Sequence, residues 1–531
     1  MRAVASECQT LAAGFSDEEV AEGLAITVGL RALFQRPAST SAAVAGLAAQ
    51  PPELLTVVPP ELVSIILSQL DIRALAYLAA TCRLLWCDAP TPPPALPTPG
   101  LVESELRWRA ETRGLHVGSF LPAGALSWVP YLLKRGFYDA LRREAPLAAG
   151  QRHSIFVDRE GRLHLACHRK QIKAGGVGEP LLGHDWGSDA GASTVSVPPT
   201  LVPSMHDTRI VSVASGFSHC LALSAVGEVY LWGSYGMLGH AAGGSMAGPR
   251  RIETLEKVES VAAGVHTSAA VDDRGRLFTW GVRAAWEEKP AGLGYELDPA
   301  TELQLTPKRV DALSEDRVMG VALGYTFTLA VTDAGAVFSF GSSWIGALGH
   351  GLSTSELLPR RIEALAETGR RFVRVAAGEG HALALTEEGH VYGWGHTLVN
   401  GHGQEQHTPQ LVAALAGVRV LLLYAHACSS CAVTEKGELY TWGAGRSNSF
   451  NLGHGVDAPQ PTPKRVGALS GVKVAATVIC GSHTLVADAD GVVWGFGRRA
   501  ALGLGEADAP PPGHSVVQPT PIPNLRVRTF P

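Results

Sequence analysis

The sequence predicts a multidomain chain, a small all-α module followed by an all-β seven-bladed propeller. Three observations predict it. A strand–turn–strand refrain recurs seven times after residue 146, its period is that of a propeller blade, and the stretch before it carries apolar residues at helical spacing.

The refrain is clearest from Ala214 to Gly233, where an apolar run follows Gly216, Gly227 turns the chain, and Val229-Tyr230-Leu231-Trp232 alternates before Gly233. Its turn glycines are Gly161, Gly227, Gly275, Gly335, Gly389, Gly437 and Gly491, spaced 48 to 66 residues apart. Eleven residues before each turn stands Gly150, Gly216, Gly264, Gly324 or Gly378, with His426 and Cys480 in the last two copies. Five residues after the turn stands Trp232, Trp280, Phe340, Trp394, Trp442 or Phe496, and Ala166 in the divergent first copy.

The module before the repeats reads in order. Residues 1–50 form an Ala/Ser-rich tail, partly disordered by composition, with one capped helical stretch after Ser16. Residues 51–113 are helical: Leu62, Ile66 and Leu70 share a face, Asp71 caps a second helix bearing Leu75, Leu78 and Cys82, and a third follows the proline-rich insert 90–99. Residues 114–146 make an aromatic-rich helical linker, and residues 147–531 hold the repeats. So few residues cannot bury all those leucines alone, so the apolar faces need a partner or the rest of the chain.

Val58-Pro59-Pro60-Glu61-Leu62, Ile66-Leu67-Ser68-Gln69-Leu70-Asp71, Leu78-Ala79 and Cys82-Arg83 together resemble an F-box. The resemblance implies a helical module that binds the Skp-family adaptor and through it a cullin, with Pro59, Leu62, Ile66, Leu67 and Leu70 facing the adaptor.

In the repeats, Pro249, Pro307, Pro359, Pro409 and Pro463 each stand three residues before Ile or Val, as suits edge strands that need no proline N–H. Leu-Gly pairs at Leu238-Gly239, Leu293-Gly294, Leu348-Gly349, Leu452-Gly453 and Leu502-Gly503 supply a third marker. Stacking seven units around an axis covers faces that one unit leaves open. The first copy lacks the strand that precedes the others, and 524–530 is expected to supply it, so that the C-terminal strand closes the ring. Together these markers resemble the regulator-of-chromosome-condensation repeat, a seven-bladed propeller family. It includes a Ran nucleotide exchanger, a plant ultraviolet-B receptor and ligase components, so the fold alone fixes no function.

Catalytic chemistry is not written into the motifs. His153, His219, His381 and His483 share one repeat slot, which reads as a structural hydrogen-bonder because no acid or base recurs beside it. Cys428 and Cys431 are closely spaced but lack a second ligand pair, so core packing is expected and no metal. No nucleophile elbow or phosphate-binding loop appears, and no cofactor is expected. Arg169, Lys170 and Lys173 form a modest basic cluster in a long loop. Photoreception would need tryptophan just after the first glycine, where Gln151, Phe217, Val265, Tyr325, Glu379, Ala427 and Gly481 stand.

A formal net charge of −5 and the absence of long basic runs argue against direct nucleic-acid binding. Eight scattered cysteines suit a reducing compartment, and no apolar run is long enough for a membrane span, so a cytoplasmic or nuclear location is expected. The sequence therefore points to a non-catalytic substrate-recognition subunit of a Skp–cullin–F-box ubiquitin ligase. The alternative is a propeller interaction protein or an exchange factor for a Ran-type GTPase. Departures from the repeat are the places to seek a site: the first-repeat loop, Trp286 to Lys289, and His426 with Cys428.

Overall fold

The computed structural model describes residues 145–531, apart from 151–152, 171–193, 218, 234–245, 283–291, 298–302, 445–449, 457, 505–514, 528 and 530–531. The tail, the F-box resemblance with all five adaptor-facing residues, and the linker up to residue 144 lie outside the described residues. So do most of the first-repeat loop and the Trp286–Lys289 insert.

Seven four-stranded sheets follow one another, each an antiparallel meander of strands A to D. Blades 1 to 7 span 147–201, 210–251, 258–309, 318–361, 372–411, 420–465 and 474–526. Each strand A packs against its neighbours on both sides, and the strand A of blade 7 meets that of blade 1, so the ring is closed. Strand B is the buried centre of each sheet, and the alternating B and C strands fill the seams. One apolar cluster, for example, combines Leu383, Leu385 and Val391 of blade 5 with Leu423, Ala432 and Trp442 of blade 6. The core is therefore a set of inter-blade layers.

Each recurring marker has a steric cause. The turn glycines adopt φ between +76° and +93°, a left-handed region that costs other residues energy. The aliphatic residue after the proline marker leaves strand D and plugs the blade edge: Ile252, Val310, Ile362, Val412 and Val466 are buried. The aromatic ending strand C lies against the Leu-Gly glycine of the preceding blade. A Cβ on Gly349 would stand 2.9 Å from the Trp394 ring, and one on Gly453 would stand 2.8 Å from Phe496. In the divergent copy Ala166 takes the aromatic position, and strand D lies beside it against the same glycine. A Cβ on Gly503 would meet Ala166 and Pro198 at 2.9 and 3.0 Å.

The ring closes differently from the sequence expectation. Blade 1 has its own inner strand, Leu147–Ala149, paired with Ser154 to Phe156, and the C-terminal strand Ser515–Arg526 is the outer strand of blade 7. Among the described residues of the C-terminal strand segment, Val527 makes the β-bridge across the seam. It bridges Asp158, the rung that Ile210–Ser224 or Val420–Thr434 makes in other blades. The first inner strand is thus built from two pieces, one rung from the C-terminus and three from the segment after Pro146. The physical reason is burial: Leu147, Ala148 and Ala149 are apolar and already cover that edge, leaving only its first position for Val527.

Candidate interaction face

The histidine slot resolves into inter-blade linkage. His219 Nε2 lies 2.9 Å from Ser268 Oγ, and His381 Nε2 lies 2.7 Å from Ser430 Oγ, each serine one blade onward. His483 Nε2 lies 2.8 Å from Ser154 Oγ across the closure. Ser154 donates to the Ala501 carbonyl, so it accepts from His483 and fixes that imidazole with Nε2 protonated. Blade 2 has Cys220 where the serine would stand, and His153 instead meets Ser215 Oγ at 2.5 Å and Cys220 Sγ at 3.1 Å. Where Phe327 replaces the histidine, Ala382 replaces the serine, and both join one apolar cluster. Burial pushes His153, His219, His381 and His483 down to about 3, so all four are neutral near pH 7. These groups hold blades together and offer no accessible acid or base.

The slot also explains the first-glycine marker. A Cβ on Gly378 would lie 2.1 Å from the His381 ring, and one on Gly216 would lie 2.3 Å from the His219 ring. In blade 6 the slot residue is Ser429, which presents no ring, and there His426 is tolerated. In blade 7 Cys480 is kept by bonding: its Sγ lies 3.2 Å from His483 Nδ1. The Cys428/Cys431 pair does not converge on one point. Cys428 Sγ donates to Glu379 Oε2 of blade 5 at 3.2 Å, whereas Cys431 Sγ lies 4.0 Å from Thr477 of blade 7. Burial pushes the Cys431 thiol up to about 12.

The meander puts A–B turns and C–D loops on one face of the ring, with B–C turns and D–A connections on the other. The second face is regular. Its turns are internally bonded, as when Asp272 accepts from the backbone of Arg274 and Arg276. The first face departs from the repeat at the junction of blades 4 and 5. There Trp344, in the C–D loop of blade 4, is 49% exposed, and Leu352 of the same loop is 61% exposed. The loop is braced: Ser343 Oγ donates to the Leu352 carbonyl at 3.1 Å, and Gly351 N–H donates to His407 O at 2.9 Å. Ile345 has φ +51°, a strained conformation for a β-branched residue.

The indole of Trp344 rests on Gly380 in the A–B turn of blade 5, where a Cβ would stand 2.9 Å from the ring. Other copies carry Arg152, Ser218, His266, Thr326, Cys428 or Ser482 at the Gly380 position. Glu379 precedes Gly380, and its N–H donates to the Ala427 carbonyl at 2.8 Å. Tyr325 and His266 stand edge to face in the turns of blades 4 and 3, with ring centroids 5.8 Å apart. This arrangement presents an exposed aromatic and a carboxylate as binding groups. Sequence reading passed over Trp344 and Gly380, although both are single-copy departures in adjacent repeats.

The RCC1-like domain family model matches residues 135–462, so the F-box resemblance at 58–83 lies outside the match. E3 ubiquitin-protein ligase HERC2 of Homo sapiens is 38% identical over 353 residues, which is 64% of this chain and 7% of HERC2. The chain thus spans only a small part of that relative. Ultraviolet-B receptor UVR8 of Arabidopsis thaliana is 31% identical over 63% of this chain and 75% of its own length. The crystal structure of Prp20p from Saccharomyces cerevisiae shares the fold, with a TM-score of 0.56 and 21% identity over 77% of this chain and 91% of Prp20p.

Proposed function

The chain belongs to the RCC1-like domain family, and from that premise we propose that it is a non-catalytic substrate-recognition subunit of a Skp–cullin–F-box ubiquitin ligase. The observation that carries the reading is the pairing of the F-box resemblance at Val58 to Arg83 with a closed propeller that has a distinct, irregular face. Relatives of the propeller include a ubiquitin-protein ligase, which supports the association with ubiquitin transfer. In this role Pro59, Leu62, Ile66, Leu67 and Leu70 hold the Skp-family adaptor, and the propeller presents a protein substrate. The contribution is proximity and orientation, which raise the rate of a transfer catalysed by partner enzymes. The protein works in the cytoplasm or nucleus, where those partners act.

The test is co-precipitation with a Skp-family adaptor and its cullin. Wild type is expected to bring down both, and the Leu62→Asp/Ile66→Asp double variant neither. Wild type that brings down neither rejects the ligase role. A nucleotide-release assay with a Ran-type GTPase then addresses exchange activity.

A further inference from the structure

We propose that the blade 4–blade 5 junction is the point where the propeller grips its protein partner, and that it takes an arginine or lysine side chain from an extended segment. This rests on the propeller's role as the substrate-holding part, and it adds the chemistry of what is held.

Trp344 is the anchor. A large aromatic half-exposed on a folded surface is the residue type that most often dominates an interface. Its position is enforced: the ring lies on Gly380, and the loop carrying it is held through Ser343 and Gly351. The strained φ of Ile345, next in sequence, is sustained by the same bracing. An aromatic fixed before its partner arrives loses little conformational freedom on binding.

The charge of the partner follows from the neighbouring groups. An indole face attracts a cation through its quadrupole, and guanidinium stacks on it best. Glu379 brings a carboxylate to the residue beside Gly380. It accepts from the Cys428 thiol at 3.2 Å, which holds it at the blade 5–blade 6 side of the turn. Tyr325 and His266 extend the aromatic surface toward blade 3. Arg374, on the inner strand of blade 5, is stacked on Tyr424 at 4.8 Å and donates to its hydroxyl at 3.3 Å. The Trp344 ring thus lies on one residue of this turn, Gly380, and the carboxylate belongs to the other, Glu379, a combination complementary to a basic side chain and repellent to an acidic one.

The test selects a displayed library of random heptapeptides on the full-length chain. Selected peptides are expected to share one position fixed as Arg or Lys. Their affinity should fall about three- to thirty-fold on Trp344→Leu, which keeps apolar area but removes the ring. It should fall on Glu379→Gln, which removes only the charge, and persist in Trp344→Phe, which also reports that the loop still folds. Failure to select peptides, selection without a basic position, or basic peptides that bind Trp344→Leu and Glu379→Gln undiminished would overturn the proposal. Adaptor binding by the same preparations separates the two readings. Peptides selected by a chain that binds no adaptor leave this site standing and remove the ligase role.

Discussion

His483 Nε2 stands 2.8 Å from Ser154 Oγ, joining the last blade to the first across 329 residues of sequence. The same pairing links blades 2 to 3 and 5 to 6. A neutral imidazole is the right group for this place, because it can donate to the hydroxyl without burying a charge. Inter-blade adhesion therefore depends on those histidines staying unprotonated.

That dependence has a definite sign with pH. Unfolded, each imidazole takes a proton near its ordinary 6.5; folded, His153, His219, His381 and His483 take one only near 3. Between these values the unfolded chain binds more protons, so stability is full above pH 6.5 and is lost as pH falls toward 3. Each histidine contributes about 1 kcal/mol of loss per pH unit in that window. Thermal melts of His483→Gln from pH 7.5 to 4 should start lower but fall less steeply than wild type. Parallel curves would contradict the assignment.

The two-piece inner strand predicts a disproportionate effect of a small deletion. Removing residues 522–531 takes away Ile522, Leu525 and Val527, all buried, and the rung to Asp158. Burial of three such side chains amounts to about 5 kcal/mol. Scanning calorimetry should show a clearly lower unfolding temperature, and an unchanged melt would show that Val527 does not close the ring.

Sterics at the first glycine make a third prediction. Gly378→Ala forces a methyl against the His381 ring and should cost about 1–3 kcal/mol, as overpacked cores do. Adding His381→Ser reproduces the blade 6 combination of His426 with Ser429. Denaturant unfolding should then show the double variant losing less than the two single changes combined. Strict additivity would mean that ring and glycine are not coupled.

Much of this architecture was legible in the sequence because sterics leave few choices. A turn at φ near +80° selects glycine each time, and a backbone beneath a ring does so in every copy but blade 7, where Cys480 bonds to the His483 ring, so the period survives divergence elsewhere. The histidine slot could be read as structural, but its partner could not, since Ser154, Ser268 and Ser430 belong to the next copy round. Closure was read halfway. The C-terminal segment does complete the first blade, but by one rung, because a three-residue strand beside Pro146 carries too little pattern to register. Trp344 and Gly380 were missed because recurrence draws attention to shared positions, and this site consists of two unshared ones. Seeing it required knowing that the C–D loop of one blade lies over the A–B turn of the next.

The most direct test of the ligase role is a binding titration of the purified full-length chain against a purified Skp-family adaptor. Saturable binding by wild type is expected, with at least a hundredfold loss in Leu62→Asp/Ile66→Asp on the order expected when charges enter the centre of an apolar interface, and with propeller melting unchanged. Wild type that shows no saturable binding, or a double variant that binds as tightly, would contradict the account.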